Sequence, residues 1–342
     1  MAIKLSVTDQ SPIHDGGRPS RGPHDSLRLA QACERFGYHR YWLAEHHNTP
    51  GYAGPCPEIL IGHIAAHTRR IRVGSGGIML PHYPPYKVAE TFRMLEVLYP
   101  GRIDLGVGRA PGGDGQATAA LAYPRQPINS DLYPRQVFDL MGYLNNDLPA
   151  QHPFHGIRLV PEDGGVPQFW MLGSSGGSAE VAGQLGSGFV LALFIGTHAR
   201  SPAIVEAYRR AFQPSKSLQE PRAMIAVAAV CAPTREEALR IASTRSMWIY
   251  QALSRGRIID LPSPDEVDRL LAAMGPSERA QYQAVLDHSV IGTPDECRRQ
   301  IEALATEYDT DEVSIVTVTY RYADRERSYE LLAGAFGLAD RS

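Results

Sequence analysis

The sequence is poor in cysteine. The four it has in 342 residues, Cys33, Cys56, Cys231 and Cys297, form no C-x-x-C pair and no zinc-ribbon spacing. That pattern belongs to a reduced compartment rather than a disulfide scaffold, and Cys231, inside an apolar run, reads as core. Charge of one sign is also lacking. Thirty-four Lys and Arg against 37 Asp and Glu leave a net charge of -3, with no basic excess to neutralise nucleic-acid phosphates and no acidic tail. Long apolar runs are missing: the longest, over 223–232 and 189–195, are too short to span a bilayer. The N-terminus shows no basic segment followed by an apolar stretch, so no secretory signal is expected. What remains, 43% apolar and 21% charged residues, is the composition of an ordinary globular chain. These absences predict a cytoplasmic protein that binds neither nucleic acid nor membrane.

What is present alternates. Short β-branched runs at 3–7, 40–44, 71–74, 103–107, 168–172, 188–193, 224–230 and 312–319 read as strands. A helical pattern follows each, at 26–36, 58–67, 86–98, 132–145, 178–185, 201–212, 235–254 and 325–336. Repeated β-then-α order predicts a parallel sheet, and eight such units favour a closed (β/α)8 barrel, an α/β fold spanning 1–342 as a single domain. Helix starts agree. Thr234 to Glu237, Ser263 to Glu266 and Thr293 to Glu296 have capping-box spacing, the latter two with Pro at the first helical position. Three stretches break the alternation, 110–131, 150–166 and 255–288. In a barrel such insertions commonly form lids on the catalytic face, at the C-terminal ends of the strands.

Four clusters could carry chemistry. Trp42-Leu-Ala-Glu-His-His47 ends the second strand, where a barrel puts its active site. Successive side chains diverge, so at most one of His46 and His47 faces the mouth, and either could instead cap the strand end. A neutral imidazole there can move a proton near neutral pH. A metal site built from His46, His47, His82 and Glu45 is disfavoured, because no H-x-H or H-E-x-x-H spacing is present. The third strand closes on Val73-Gly-Ser-Gly-Gly-Ile-Met-Leu-Pro81, where Gly76 and Gly77 allow a flat ligand to approach the backbone, or simply form a tight turn.

After the fourth strand comes a glycine-rich exit, Gly106-Val-Gly-Arg-Ala-Pro-Gly112. Arg109 there suits bidentate capture of a phosphate. The segment misses the dinucleotide fingerprint, since Pro111 stands where the third glycine belongs. After the fifth strand, Leu172-Gly-Ser-Ser-Gly-Gly-Ser178 leads into a helix. Its N–H groups and the hydroxyls of Ser174 and Ser178 form an anion site, or an ordinary cap. No P-loop lysine and no G-x-S-x-G elbow occurs.

Together the clusters resemble the bacterial-luciferase-like flavin monooxygenases. The resemblance rests on Tyr38-His-Arg-Tyr-Trp-Leu-Ala-Glu-His-His-Asn48, Ile71-Arg-Val-Gly-Ser-Gly-Gly-Ile-Met-Leu-Pro81, Val88-Ala-Glu90, Leu98-Tyr-Pro-Gly-Arg-Ile-Asp104, Gly106-Val-Gly-Arg-Ala-Pro-Gly112, Leu172-Gly-Ser-Ser175 and Ile291-Gly-Thr-Pro294. It covers nearly the whole chain. It implies a two-component enzyme that takes reduced FMN from a separate flavin reductase, activates O2 as a C4a-(hydro)peroxyflavin and oxygenates a small organic substrate. Some relatives use the deazaflavin F420 for hydride transfer instead, and a flavin-binding protein without catalysis is a further reading. By the same resemblance His46 sits at the reactive edge of the ring. Gly76 and Gly77 form a non-proline cis bond against the ring, and Arg109, Gly173, Ser174 and Ser178 hold the cofactor and its phosphate. A homodimer through helices outside the early strands is implied. Trp42, His82, Tyr83 and Phe194 are candidates for the substrate pocket, with core packing the alternative for each. The chain reads Pro81-His82-Tyr83 where many relatives read Pro-Asn-His.

Overall fold

A computed structural model describes residues 3–195, 201–257 and 259–338. The strands are β1 (Lys4–Asp9), β2 (Arg40–Leu43), β3 (Arg72–Met79), β4 (Ile103–Gly108), β5 (Gln168–Gly173), β6 (Gly188–Ala192), β7 (Ala223–Cys231), β8 (Val290–Gly292) and β9 (Glu312–Val316). All pair in parallel. β1 to β7 follow in order, β7 also pairs with β9, and β9 returns to β1, so eight strands close a (β/α)8 barrel. The helices are α1 (Gly22–Arg35), α2 (Pro57–Ala66), α3 (Pro85–Leu98), α4 (Gly115–Ala122), α5 (Tyr133–Asn145), α6 (Gly176–Gln184), α7 (Ala203–Ala211), α8 (Arg235–Arg255), α9 (Pro264–Ala273), α10 (Pro276–Asp287), α11 (Pro294–Glu307) and α12 (Tyr322–Ala335). None is long and apolar enough to cross a membrane.

The pleat sorts the side chains into two sets. Outward-facing Leu5, Val7, Tyr41, Leu43, Val73, Leu105, Val107, Phe189 and Ile225 are buried against the helices and form the main core. Their alternates point into the barrel and stack in layers. The lowest layer is ionic. Arg40 donates from Nε to Glu312 Oε1 (2.6 Å) and from Nη1 to Asp104 Oδ2 (2.8 Å) and Gln168 Oε1 (3.0 Å). Arg72 binds the other oxygen of Asp104, and Ser6 donates to Glu312. Burial by itself raises the pKa of Asp104; Arg40 and Arg72 outweigh it and hold the carboxyl below its usual range. Above this floor sit Trp42 and Trp170, edge to face at 5.6 Å, with Val190, Met224 and Ala226. β3 and β4 approach so closely that a Cβ on Gly74 would lie 2.4 Å from the Asp104 carbonyl oxygen.

Three expectations need correction. The helix over 235–254 exists, as α8, but it packs on the end of β7, on β8, α9 and α10. The helix that lies against β7, β9 and α12 in the outer ring is α11. β8 was not foreseen. β7 is nine residues long and pairs with β9 only as far as Ala228, so its last residues, Ala229–Cys231, take β8 as partner and leave few ladder groups unpaired. The 150–166 stretch is no lid. It lies beside α3, where Arg93 donates to the carbonyls of Leu144 and Gly164 and Tyr86 to that of Arg158. The 110–131 stretch does reach the mouth and contains α4, and 255–288 supplies α9 and α10, which buttress α8. Position 258 lies outside the described residues.

Replacing Arg40 by Met leaves Glu312 and Asp104 buried with a counter-charge removed. Such a break costs about 3–5 kcal/mol. The expected result is a lower urea midpoint with little change in the slope; a midpoint equal to the wild type would show that the ionic floor contributes nothing.

Candidate active site

The C-terminal ends of the strands open into a cavity of about 720 Å3. Its floor comes from inward residues of the barrel: Thr8, Gly76, Gly108 and Leu172, with Val190 and Ala226 from the layer of the tryptophans. Its roof comes from α8. Arg245, Trp248, Ile249 and Ala252 fall at helical spacing on one face and look down into it.

His46 takes the place on the wall; His47 does not. The His46 ring lies 4.3 Å from the Tyr52 ring, and its buried Nδ1 has no hydrogen-bond partner. Burial, helped by nearby His47, pushes its pKa down to about 4, so the imidazole is neutral at neutral pH. Tyr52 in turn donates to Gln10 Oε1 (2.9 Å) and meets Trp248 edge on. His47 points away and shares a 2.6 Å hydrogen bond with Glu45 Oε1. Glu45 also accepts from Tyr83 Oη (2.8 Å) and from the Met79 backbone N–H (3.0 Å). This buried carboxylate therefore ties the end of β2 to the end of β3 and holds His46 by its chain neighbour.

The bond between Gly76 and Gly77 is cis, and the β3–β4 register shifts between Ser75 and Ile78. A Cβ on Gly77 would lie 2.9 Å from the Gly106 oxygen, and one on Gly76 would lie 3.1 Å from Cβ of Trp42. Side chains are thus excluded from this part of the wall by the strands behind it. On the β4–β5 side, Arg109 is exposed and pairs with no acidic residue among those described. Gly173, Ser174, Ser175, Gly177 and Ser178 line the adjoining wall, where α6 begins at Gly176 rather than at 178. The Ser178 hydroxyl donates to the Ser175 carbonyl (2.7 Å), and a Cβ on Gly173 would lie 2.0 Å from that hydroxyl. Glycine at 173 is therefore required for the strand to pass beneath the start of α6. The first N–H groups of α6 carry the positive end of the helix dipole.

The structure thus brings His46, Gly76, Gly77, Arg109, Gly173, Ser174, Ser178 and Phe194 into one cavity. Three expected pocket residues lie elsewhere. Trp42 is buried below, its indole N–H bonded to Asp104 (2.8 Å). Tyr83 stands behind the wall on Glu45. His82 lines a separate hollow of about 210 Å3 and shares its Nε2 with the Pro111 carbonyl. Sequence reasoning did not find Gln10, Tyr52, Arg245 or Trp248. Tyr52 sits in an irregular loop, and Arg245 and Trp248 lie on a helix whose packing could not be read from its pattern.

Residues 3–310 match the family model described as luciferase-like monooxygenase. The chain is 36% identical to the luciferase-like monooxygenase of Escherichia coli (strain K12), over 96% of each chain. It is 36% identical to the N-acetyl-S-alkylcysteine monooxygenase of Bacillus subtilis (strain 168), over 99% of this chain and all of that one. The crystal structure of apo-MsnO8 superposes with a TM-score of 0.87 at 37% identity, covering 98% of both chains. The cavity described above therefore sits in an oxidoreductase fold matched from end to end, and the chain belongs to the luciferase-like monooxygenase family.

Proposed function

We propose that the chain is the oxygenating component of a two-component monooxygenase, receiving reduced FMN from a separate flavin reductase. The observation that carries this reading is a single cavity that joins three things: an arginine with no acidic partner among the described residues, near a helix N-terminus, a wall without side chains, and a half-buried neutral histidine. The parts fit the cofactor. Arg109, Ser174, Ser178 and the first N–H groups of α6 would hold a phosphate. Gly76 and Gly77 would face a flat ring, and the unpartnered Nδ1 of His46 marks a polar atom awaiting a neighbour. When bound, reduced flavin supplies two electrons and the position at which dioxygen is activated. The protein's residues do the rest. Tyr52 keeps His46 in place by packing against its ring, and His46, neutral at working pH, accepts or donates a proton beside the bound ring. Trp248 and Leu253 of the roof, with Phe194 from the end of β6, give this side of the cavity an apolar lining that would keep water from the reaction.

Anaerobic titration tests this. Reduced FMN should bind the wild type, and Arg109→Ala or Ser178→Ala should weaken it about 10- to 100-fold. Binding of F420 with oxygen-independent hydride transfer would replace the reading with a deazaflavin oxidoreductase. His46→Ala should retain FMN and lose about 10²- to 10⁴-fold in reductase-coupled turnover. Unchanged turnover would remove His46 from the chemistry.

The exposed side chains of Ile59, Met94 and Leu98 on α2 and α3, with Val160 beside them, form an apolar strip outside the early strands. A homodimer through this face is part of the proposal. Sedimentation of Met94→Glu should then show monomer where the wild type shows dimer.

Burial lowers the pKa of His39, as of His46, to about 4, against 6.5 for a free imidazole. The unfolded chain thus binds more protons than the folded one between these values, and stability, complete above about pH 6.5, falls as pH drops toward 4. The urea midpoint should decrease from pH 7 to pH 5, and His39→Gln should flatten the decrease. A pH-independent midpoint over that interval would contradict the burial of these rings.

A further inference from the structure

Arginines buried in this protein are matched with partners. Arg40 meets Asp104 and Glu312, Arg325 meets Asp9 at 2.6 Å, and Arg93 bonds several backbone carbonyls. Arg245 is different. It is 6% exposed and looks from α8 into the cavity. A guanidinium has five N–H donors; among the described residues the one hydrogen bond made is from Nη2 to the Phe194 carbonyl, at 3.0 Å, and Nε is buried with no partner there. Among the described residues no carboxylate pairs with it. The two carboxylates on the cavity wall are engaged elsewhere, Glu45 with Tyr83, His47 and Met79, and Asp131 with Asn129. A buried charge without a counter-ion is costly, and burial lowers the pKa of Arg245 accordingly. Its neighbours along α8 that line the cavity, Trp248, Ile249, Ala252 and Leu253, are apolar, as is Phe194, whose carbonyl it bonds. Tyr52 is the exception. Its ring meets that of Trp248 edge on and lies 4.3 Å from the His46 ring, tilted to it.

We propose that Arg245 is the specificity-determining residue for the substrate. It anchors the carboxylate of a small organic acid whose apolar body lies against Phe194, Trp248 and Leu253. The acid group supplies the missing counter-ion, and a guanidinium takes a carboxylate through two parallel hydrogen bonds. Tyr52 packs between Trp248, one turn along α8 from Arg245, and His46, so an acid held there is placed on the side of the cavity where the proton-handling side chain lies. Arg109 serves a different anion. It is exposed, comes from β4, and has the start of α6 beside it. Two cations contributed by different elements thus divide the cavity into a phosphate end and a carboxylate end. This division rests on the reading of the cavity as a flavin site; the anchoring of an acid by Arg245 does not depend on which flavin is bound.

The test is binding of matched probes to the full chain, with and without FMN. Hexanoate, benzoate and phenylacetate are compared with their primary amides by quenching of tryptophan fluorescence and by calorimetry. A charge-assisted bond predicts that the acids bind the wild type about 10- to 100-fold more tightly than the amides. Arg245→Met should abolish this preference, and Arg245→Lys should restore part of it, with FMN affinity unchanged in both. Because it removes an uncompensated charge, Arg245→Met should unfold at a urea concentration no lower than the wild type. Equal affinity for acids and amides, no binding of any acid at millimolar concentration, or a preference that survives Arg245→Met would each overturn the proposal. So would a loss of FMN affinity of tenfold or more in Arg245→Met, which would assign the residue to the cofactor. Failure of the wild type to bind FMN while the acid preference persists would reject the flavin reading and leave the anchor standing.

Discussion

The ionic floor centred on Arg40 is the constraint on which this barrel depends. A closed parallel barrel must fill its interior, and at the base this chain does so with charge. Arg40, Arg72, Asp104 and Glu312 come from four different strands and meet in one layer. Their attraction is strong because water is excluded, and each partner's removal is costly for the same reason. The layer aligns the strands in height. Everything above follows from that alignment: the tryptophan pair, then the glycines, then the open mouth. A slip of one residue in any of these four strands would place a charge on the outer face against the helices.

The mouth divides its tasks among elements of different rigidity. The wall at Gly76 and Gly77 is backbone, held by strands on both sides, and its glycines are demanded by close approach to β2 and β4. The histidine is fixed by neighbours rather than by its own hydrogen bonds, since Glu45 holds His47 and Tyr52 packs the His46 ring. The roof is a single helix, α8, buttressed by α9 and α10. Substrate selection by Arg245 therefore falls to an element outside the barrel proper.

Much of the architecture is legible in the sequence because strand burial on both faces produces unmistakable β-branched runs, and because Pro and acidic residues mark helix starts. Thr293 and Glu296 show the clearest agreement: Glu296 reaches back 2.9 Å to the Thr293 N–H. Where the reading failed, the local pattern was ambiguous. Helix α8 has the length and periodicity of an outer-ring helix, and only its neighbours reveal it as a roof. Three residues of β8 carry too little signal to separate a strand from a loop. Trp42 and Tyr83 are placed near the mouth in sequence, yet one turns into the barrel to meet Asp104 and the other turns behind it to meet Glu45.

The sequence by itself determined the period of the fold, the glycine-rich exits of β3, β4 and β5, and the position of His46 at a strand end. Those features depend on near neighbours in the chain, where spacing is physics enough. The tertiary structure alone decided which histidine faces the cavity, how Arg109 and the start of α6 come to line it together, and that Arg245 has no counter-charge among the described residues. Each of these is a matter of distance between residues far apart in sequence. Whether a buried charge is satisfied depends on every element packed around it.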